Sequence, residues 1–141
     1  MIFEIGQTAS LTKTILEKDV YLFAEISGDI NSIHVNKAAA EKSIFKKQVA
    51  HGFLVGSLIS AVLGTKLPGE GTILLEEKMK FLKPVFIGDT VTAQVMVEEV
   101  VNTAKGVIRL VSTAVNQNNE IVIEGYVIAK VPEQKGDLPF K

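Results

Sequence analysis

With 141 residues, 47% of them hydrophobic and 22% charged, the chain has room for one core and is expected to form one domain. Its net charge of −1 leaves no cationic excess for sequence-independent nucleic-acid binding. It has no cysteine, which removes disulfides, thiolate nucleophiles and Cys-ligated metal centres; with no apolar run near the ~20 residues of a membrane span and no signal-like N-terminus, a cytoplasmic, non-membrane protein is expected.

Thr8 to Ile15 alternates weakly and reads as a short strand. Glu17 to Ser27 carries Val20, Phe23, Ala24 and Ser27 at helical spacing, with Gly28 placed to end the helix in a left-handed cap. Asp29 to Ala50 is loop-rich, with a helical turn around Lys37 to Lys42. Phe53 to Leu63 has no charged face, so it is expected to be a helix buried on every side, with Gly56, Ser57 and Ser60 admitting close packing. Leu67-Pro68-Gly69-Glu70-Gly71 lacks the Gly-Lys-Ser/Thr ending of a phosphate loop and reads as a turn.

The second half alternates with period two. Ile73, Leu75, Glu77, Met79 and Phe81 share one face of a first strand; Val91, Ala93, Val95 and Val97 share a face of the next. Val107 to Val115 and Ile121 to Val131 are β-branched runs of the same kind, with hairpin loops at 102–106 and 117–120. The pattern predicts an α+β fold in which an antiparallel sheet wraps around one long buried helix. Val122, Tyr126 and Ile128 are expected to leave the outer face of that sheet apolar, which argues for a homodimer or higher homo-oligomer. Residues 1–131 form the domain, and Pro132 to Lys141 reads as a C-terminal surface tail.

Chemistry is concentrated around the two histidines. In Gly28-Asp29-Ile30-Asn31-Ser32-Ile33-His34, a carboxylate and an imidazole five residues apart, just past a helix cap, can converge on one water or small molecule for proton transfer. Asp29 and Asn31 are equally suited to Asx turns, with His34 a buried hydrogen-bonding group. In Ala50-His51-Gly52-Phe53, the unpartnered first-turn amides of the buried helix carry the positive end of its dipole and can stabilise an oxyanion. Gly52 can instead relieve crowding, and His51 can cap the helix. No metal-ligand spacing such as H-E-x-x-H is present, and no metal site is expected.

Taken in order, these segments resemble the MaoC-like hot-dog family, and specifically its (R)-specific enoyl-CoA hydratases. The resemblance rests on Gly28-Asp29-Ile30-Asn31-Ser32-Ile33-His34, Ala50-His51-Gly52-Phe53-Leu54, Ser60, Leu67-Pro68-Gly69-Glu70-Gly71 and Pro84-Val85-Phe86-Ile87-Gly88-Asp89. It spans the chain from about Gly6 to Val131. It implies a hot-dog fold and reversible hydration of a trans-2-enoyl-CoA, with acyl-CoA as substrate and no separate cofactor. Asp29 and His34 would hold and activate the water, the Gly52 amide would bind the thioester oxygen, and Asn31 and Ser60 would orient the dyad and line the pocket. Ser32 stands where the family has proline, which loosens the turn that aims the pair. A hot-dog acyl-CoA thioesterase and a non-catalytic acyl-binding subunit are the competing expectations.

Overall fold

The computed structural model of the protein describes residues 3–132. Its elements run β1 (Thr8–Thr14), α1 (Glu17–Ser27), α2 (Ser32–Val35), α3 (Lys37–Lys42), α4 (Gly52–Thr65), β2 (Ile73–Phe81), β3 (Thr90–Asn102), β4 (Val107–Val115) and β5 (Ile121–Lys130). All five strands join one antiparallel sheet in the order β1-β3-β4-β5-β2, so β1 and β2 are its edges. This is the expected α+β, hot-dog arrangement, with α4 as the helix the sheet curls around. Apart from Pro132, the surface tail expected from the sequence lies outside the described residues.

Period-two alternation explains the core. Val91, Ala93, Val95 and Val97 of β3 and Ile108, Leu110 and Ala114 of β4 are all buried on the inner face. Against them α4 packs Leu54, Val55, Leu58, Ile59, Val62 and Leu63. Each such aliphatic side chain contributes about 1.5–3 kcal/mol on burial, and helix and sheet can supply that area only to each other.

Two sequence expectations change here. First, α4 is not buried on every side: Phe53, Ser57, Ser60 and Gly64 form an open stripe at i, i+4, i+7 and i+11, and Phe53 is 68% exposed. A single curved sheet covers one side of a helix, and this stripe lies on the other. Second, the outer face of the sheet is not an apolar surface. Val122 is fully buried, because a register shift at Ala114/Val115 leaves it as an extra residue in β5, free to turn inward beside Ile123. Tyr126 and Ile128 are half-buried beside a polar ladder across the strands. Arg109 donates to Glu98 at 2.7 Å, lies 3.9 Å from the centre of the Tyr126 ring, and the Tyr126 hydroxyl donates to Glu76 at 2.8 Å. Exposed apolar side chains gather instead along edge strand β2 and its exit, at Ile73, Leu74, Leu75, Phe81 and Leu82.

Helix α1 sets the approach to the site. It stops at Gly28, whose φ of 79° is the left-handed cap foreseen from the sequence, with its N–H donating to Ala24 at 2.9 Å. It starts at Leu16, which has no side-chain acceptor to offer. Asp19 compensates by accepting the Leu16 N–H at 2.8 Å and pairing with Lys13 at 3.2 Å. That backbone hydrogen bond, with Lys13 behind it, holds the Asp19 carboxyl below the usual aspartate range. A depressed carboxyl stabilises the fold above its unfolded-state pKa, and that contribution is lost as pH falls through the folded value. Asp19→Asn is therefore expected to lower stability by about 1 kcal/mol or less at neutral pH. In urea titrations the difference from wild type should shrink once the pH drops below the ordinary aspartate range. A difference independent of pH would contradict this account.

Candidate active site

A chain of short side-chain-to-backbone bonds builds the segment after α1. Ser27 Oγ accepts the Asp29 N–H at 3.1 Å, and Asp29 Oδ1 accepts the Asn31 N–H at 3.2 Å. Asn31 Oδ1 then caps α2 by accepting the Ile33 N–H at 3.4 Å, and its carbonyl accepts the His34 N–H at 2.9 Å. The Asx turns read from the sequence are real, and they bring a carboxylate oxygen of Asp29 within 4.8 Å of a ring nitrogen of His34. Asn31 acts through the backbone, as the residue that starts the single turn of α2.

The His34 ring is buried, and its Nδ1 lies 2.7 Å from the Val49 carbonyl oxygen. A carbonyl only accepts, so Nδ1 carries a proton and Nε2 is the nitrogen left for chemistry. Val49 is itself held: its N–H donates to Ile33 at 3.2 Å, it bridges to Phe86, and the next amide, of Ala50, donates to Val85 at 2.7 Å. Gln48 adds a bond from its Nε2 to the His34 carbonyl at 2.8 Å.

His51 does not cap α4 with its side chain. Its Nε2 donates instead to the Asp29 carbonyl at 2.9 Å. Its ring stacks on His34, with centroids 3.9 Å apart and planes inclined by 27°, and meets Phe23 at 4.8 Å. One ligating atom each from Asp29, His34 and His51 falls within 4.8 Å of the others. Stacked rings keep their in-plane lone pairs nearly parallel, a poor match to nitrogens that must both point at one ion ~2.0–2.1 Å away. The arrangement suits proton handling.

Gly52 opens α4, so its amide has no intrahelical partner and lies at the positive end of a 14-residue helix. A Cβ on Gly52 would lie 2.7 Å from the Phe81 ring, so the glycine also relieves crowding. Relief of crowding and an amide left without an intrahelical partner are compatible at this one residue. A cavity of about 540 Å³ opens here, lined among others by His34, Gly52, Phe53, Phe81, Val85 and Ile123. Ser60 does not line it: eight residues along α4 it stands ~12 Å from Gly52, on the open stripe. Sequence reasoning missed the stack of His51 on His34 and the role of Val49. No periodicity carries either signal, because both depend on contacts between separate segments.

A five-stranded antiparallel sheet curled round one helix, with a carboxylate and an imidazole near that helix's N-terminus, defines a hot-dog protein. The chain belongs to the family of the MaoC-like domain, whose model matches residues 3–120. It is 49% identical to the (R)-specific enoyl-CoA hydratase of Rhodospirillum rubrum, over 90% of this chain and 87% of that one. It is 40% identical to the 3-hydroxybutyryl-CoA dehydratase of Methylorubrum extorquens, over 97% and 86%. Among solved structures it resembles the (R)-hydratase of Aeromonas caviae involved in PHA biosynthesis, with a TM-score of 0.89 and 36% identity over 92% of this chain and 98% of that one.

Gly52→Ala should cost about 1–3 kcal/mol, because the new methyl group must displace the Phe81 ring. Combining it with Phe81→Leu should recover part of that loss in denaturant unfolding. Equal stability of Gly52→Ala and wild type would show that the ring yields freely.

Proposed function

We propose that the protein is an (R)-specific enoyl-CoA hydratase, a hydro-lyase that reversibly adds water across the C2–C3 bond of a trans-2-enoyl-CoA. The observation that carries this reading is that Asp29 comes within 4.8 Å of His34, and His34 lines a cavity together with Gly52. The names of relatives at 49% and 40% identity supply the substrate class. In hydration, Asp29 takes a proton from a water held between the dyad while the oxygen attacks C3. His34, protonated on both nitrogens at that moment, gives its Nε2 proton to C2; its Nδ1–H stays on the Val49 carbonyl. Charge developing on the thioester oxygen is met by the Gly52 N–H and the α4 dipole. Dehydration reverses each transfer, and no separate cofactor takes part.

The same reading extends to assembly: the working form is a homodimer or larger homo-oligomer. Phe53 and the β2 cluster make a contiguous type of surface that a lone chain would leave on an unpaired strand edge. Glu77 lies on the same strand, half-buried, with Oε1 unpartnered among the described residues; burial raises its carboxyl pKa. A second copy over β2 and the open stripe of α4 would cover this surface, and Ser60 with it.

The decisive assay follows crotonyl-CoA by ultraviolet absorbance, with chiral analysis of the product. Wild type should form (R)-3-hydroxybutyryl-CoA, and Asp29→Asn and His34→Ala should each lose about a hundredfold or more in kcat. Release of free thiol from saturated acyl-CoA without hydration would replace this reading with a thioesterase. Inertness in both assays would favour a binding subunit. By sedimentation, wild type should be dimeric or larger and Leu75→Lys should shift toward monomer; a monomeric wild type would refute the assembly.

A further inference from the structure

The sequence leaves His51 as a structural residue, and the proposed mechanism does not use it. Its surroundings give it more to do. The Asp29 carbonyl can only accept, so the proton of His51 sits on Nε2. Its Nδ1 is buried and has no partner among the described residues, which favours an unprotonated lone pair there, since a buried unpaired N–H is costly. His34 is the reverse case, with its proton on the Nδ1 that meets Val49. Two imidazoles of opposite tautomer are thus stacked face to face at 3.9 Å, with Phe23 against His51 at 4.8 Å. A neutral ring offers its π face to His34 when His34 becomes cationic, whereas a charged one would repel it. His51 also directly precedes Gly52, so one residue connects the carboxylate segment, the imidazole and the oxyanion amide.

We infer that His51 is a positioning residue that locks the His34 ring and the Asp29 backbone into one unit, setting the rate of proton transfer and not the affinity for acyl-CoA. The inference rests on the dyad reading above. Its two contacts separate by substitution. His51→Gln keeps an amide donor near the Nε2 position and loses the stack; His51→Phe keeps the stack and loses the donor. Each should lower kcat for crotonyl-CoA by about 10–100-fold, since small misplacements of reacting groups carry costs of that size. KM should stay within about threefold, the mark of an interaction expressed mainly in the transition state. In a His34→Ala background, His51→Gln should cost less than about twofold more, because the group it positions is gone.

Unchanged kcat in either folded variant, a rise in KM alone, or full additivity with His34→Ala would overturn the inference. A measurement on wild type stands independently of how the variants fold. Imidazole ¹⁵N spectra at neutral pH should show His51 as the neutral Nε2–H tautomer; an Nδ1–H form or an imidazolium would equally overturn it. Should Asp29→Asn and His34→Ala retain full activity, the dyad reading itself fails. If those two variants are dead and the His51 variants are not, only the role of His51 is lost.

Discussion

The peptide joining Val49 to Ala50 holds the site together. Its carbonyl fixes the His34 ring, the Val49 N–H reaches back to Ile33, and the Ala50 N–H ties the segment to Val85. Immediately afterwards the chain turns into α4. One rigid peptide therefore sets the distance between the imidazole, the helix terminus and the wall of the cavity. Backbone groups fix such distances well because they are planar, obligatory hydrogen bonders that no side-chain rotamer can loosen.

Much of this was legible in the sequence, because it follows from local rules. Alternating Val91, Ala93, Val95 and Val97 can serve only a half-buried strand, and Gly28 marked the end of α1 to the residue. The segment holding Asp29 and His34 stood out because its residues fit neither helical nor strand periodicity. What escaped depended on three-dimensional closure. Val122 reads as outward-facing until a register shift against β4 is known, and no strand pattern encodes a shift in its neighbour. The uncharged α4 reads as fully buried, since a sequence does not say how far a sheet curls. Ser60 followed its family motif onto the pocket, yet a helix of rise 1.5 Å per residue carries it ~12 Å from Gly52 within one chain.

The outer face of the sheet shows how a strand surface stays in water. Glu98, Arg109, Tyr126 and Glu76 cross four strands, alternating charge and aromatic ring. Hydroxyl pairs extend the same treatment to the β1 side, Thr12 with Thr92 and Thr14 with Thr90, each at 2.8 Å. Individually such surface contacts contribute little. Collectively they fix register and break up the apolar side chains of that face, among them Val111, Tyr126 and Ile128, with charged and hydroxyl groups.

The cavity rim and the proton-handling groups are held in place by different means. His34 and His51 are tied to backbone carbonyls and to each other, and Asp29 accepts from the Asn31 amide, while Phe53 and Phe81, at the cavity rim, are 68% and 51% exposed in the single chain. Core stability hardly depends on those rim side chains. Such a division makes the fold evolvable: a lineage can reshape the room offered to the acyl group by exchanging aromatics at the rim, while the chemistry is inherited intact.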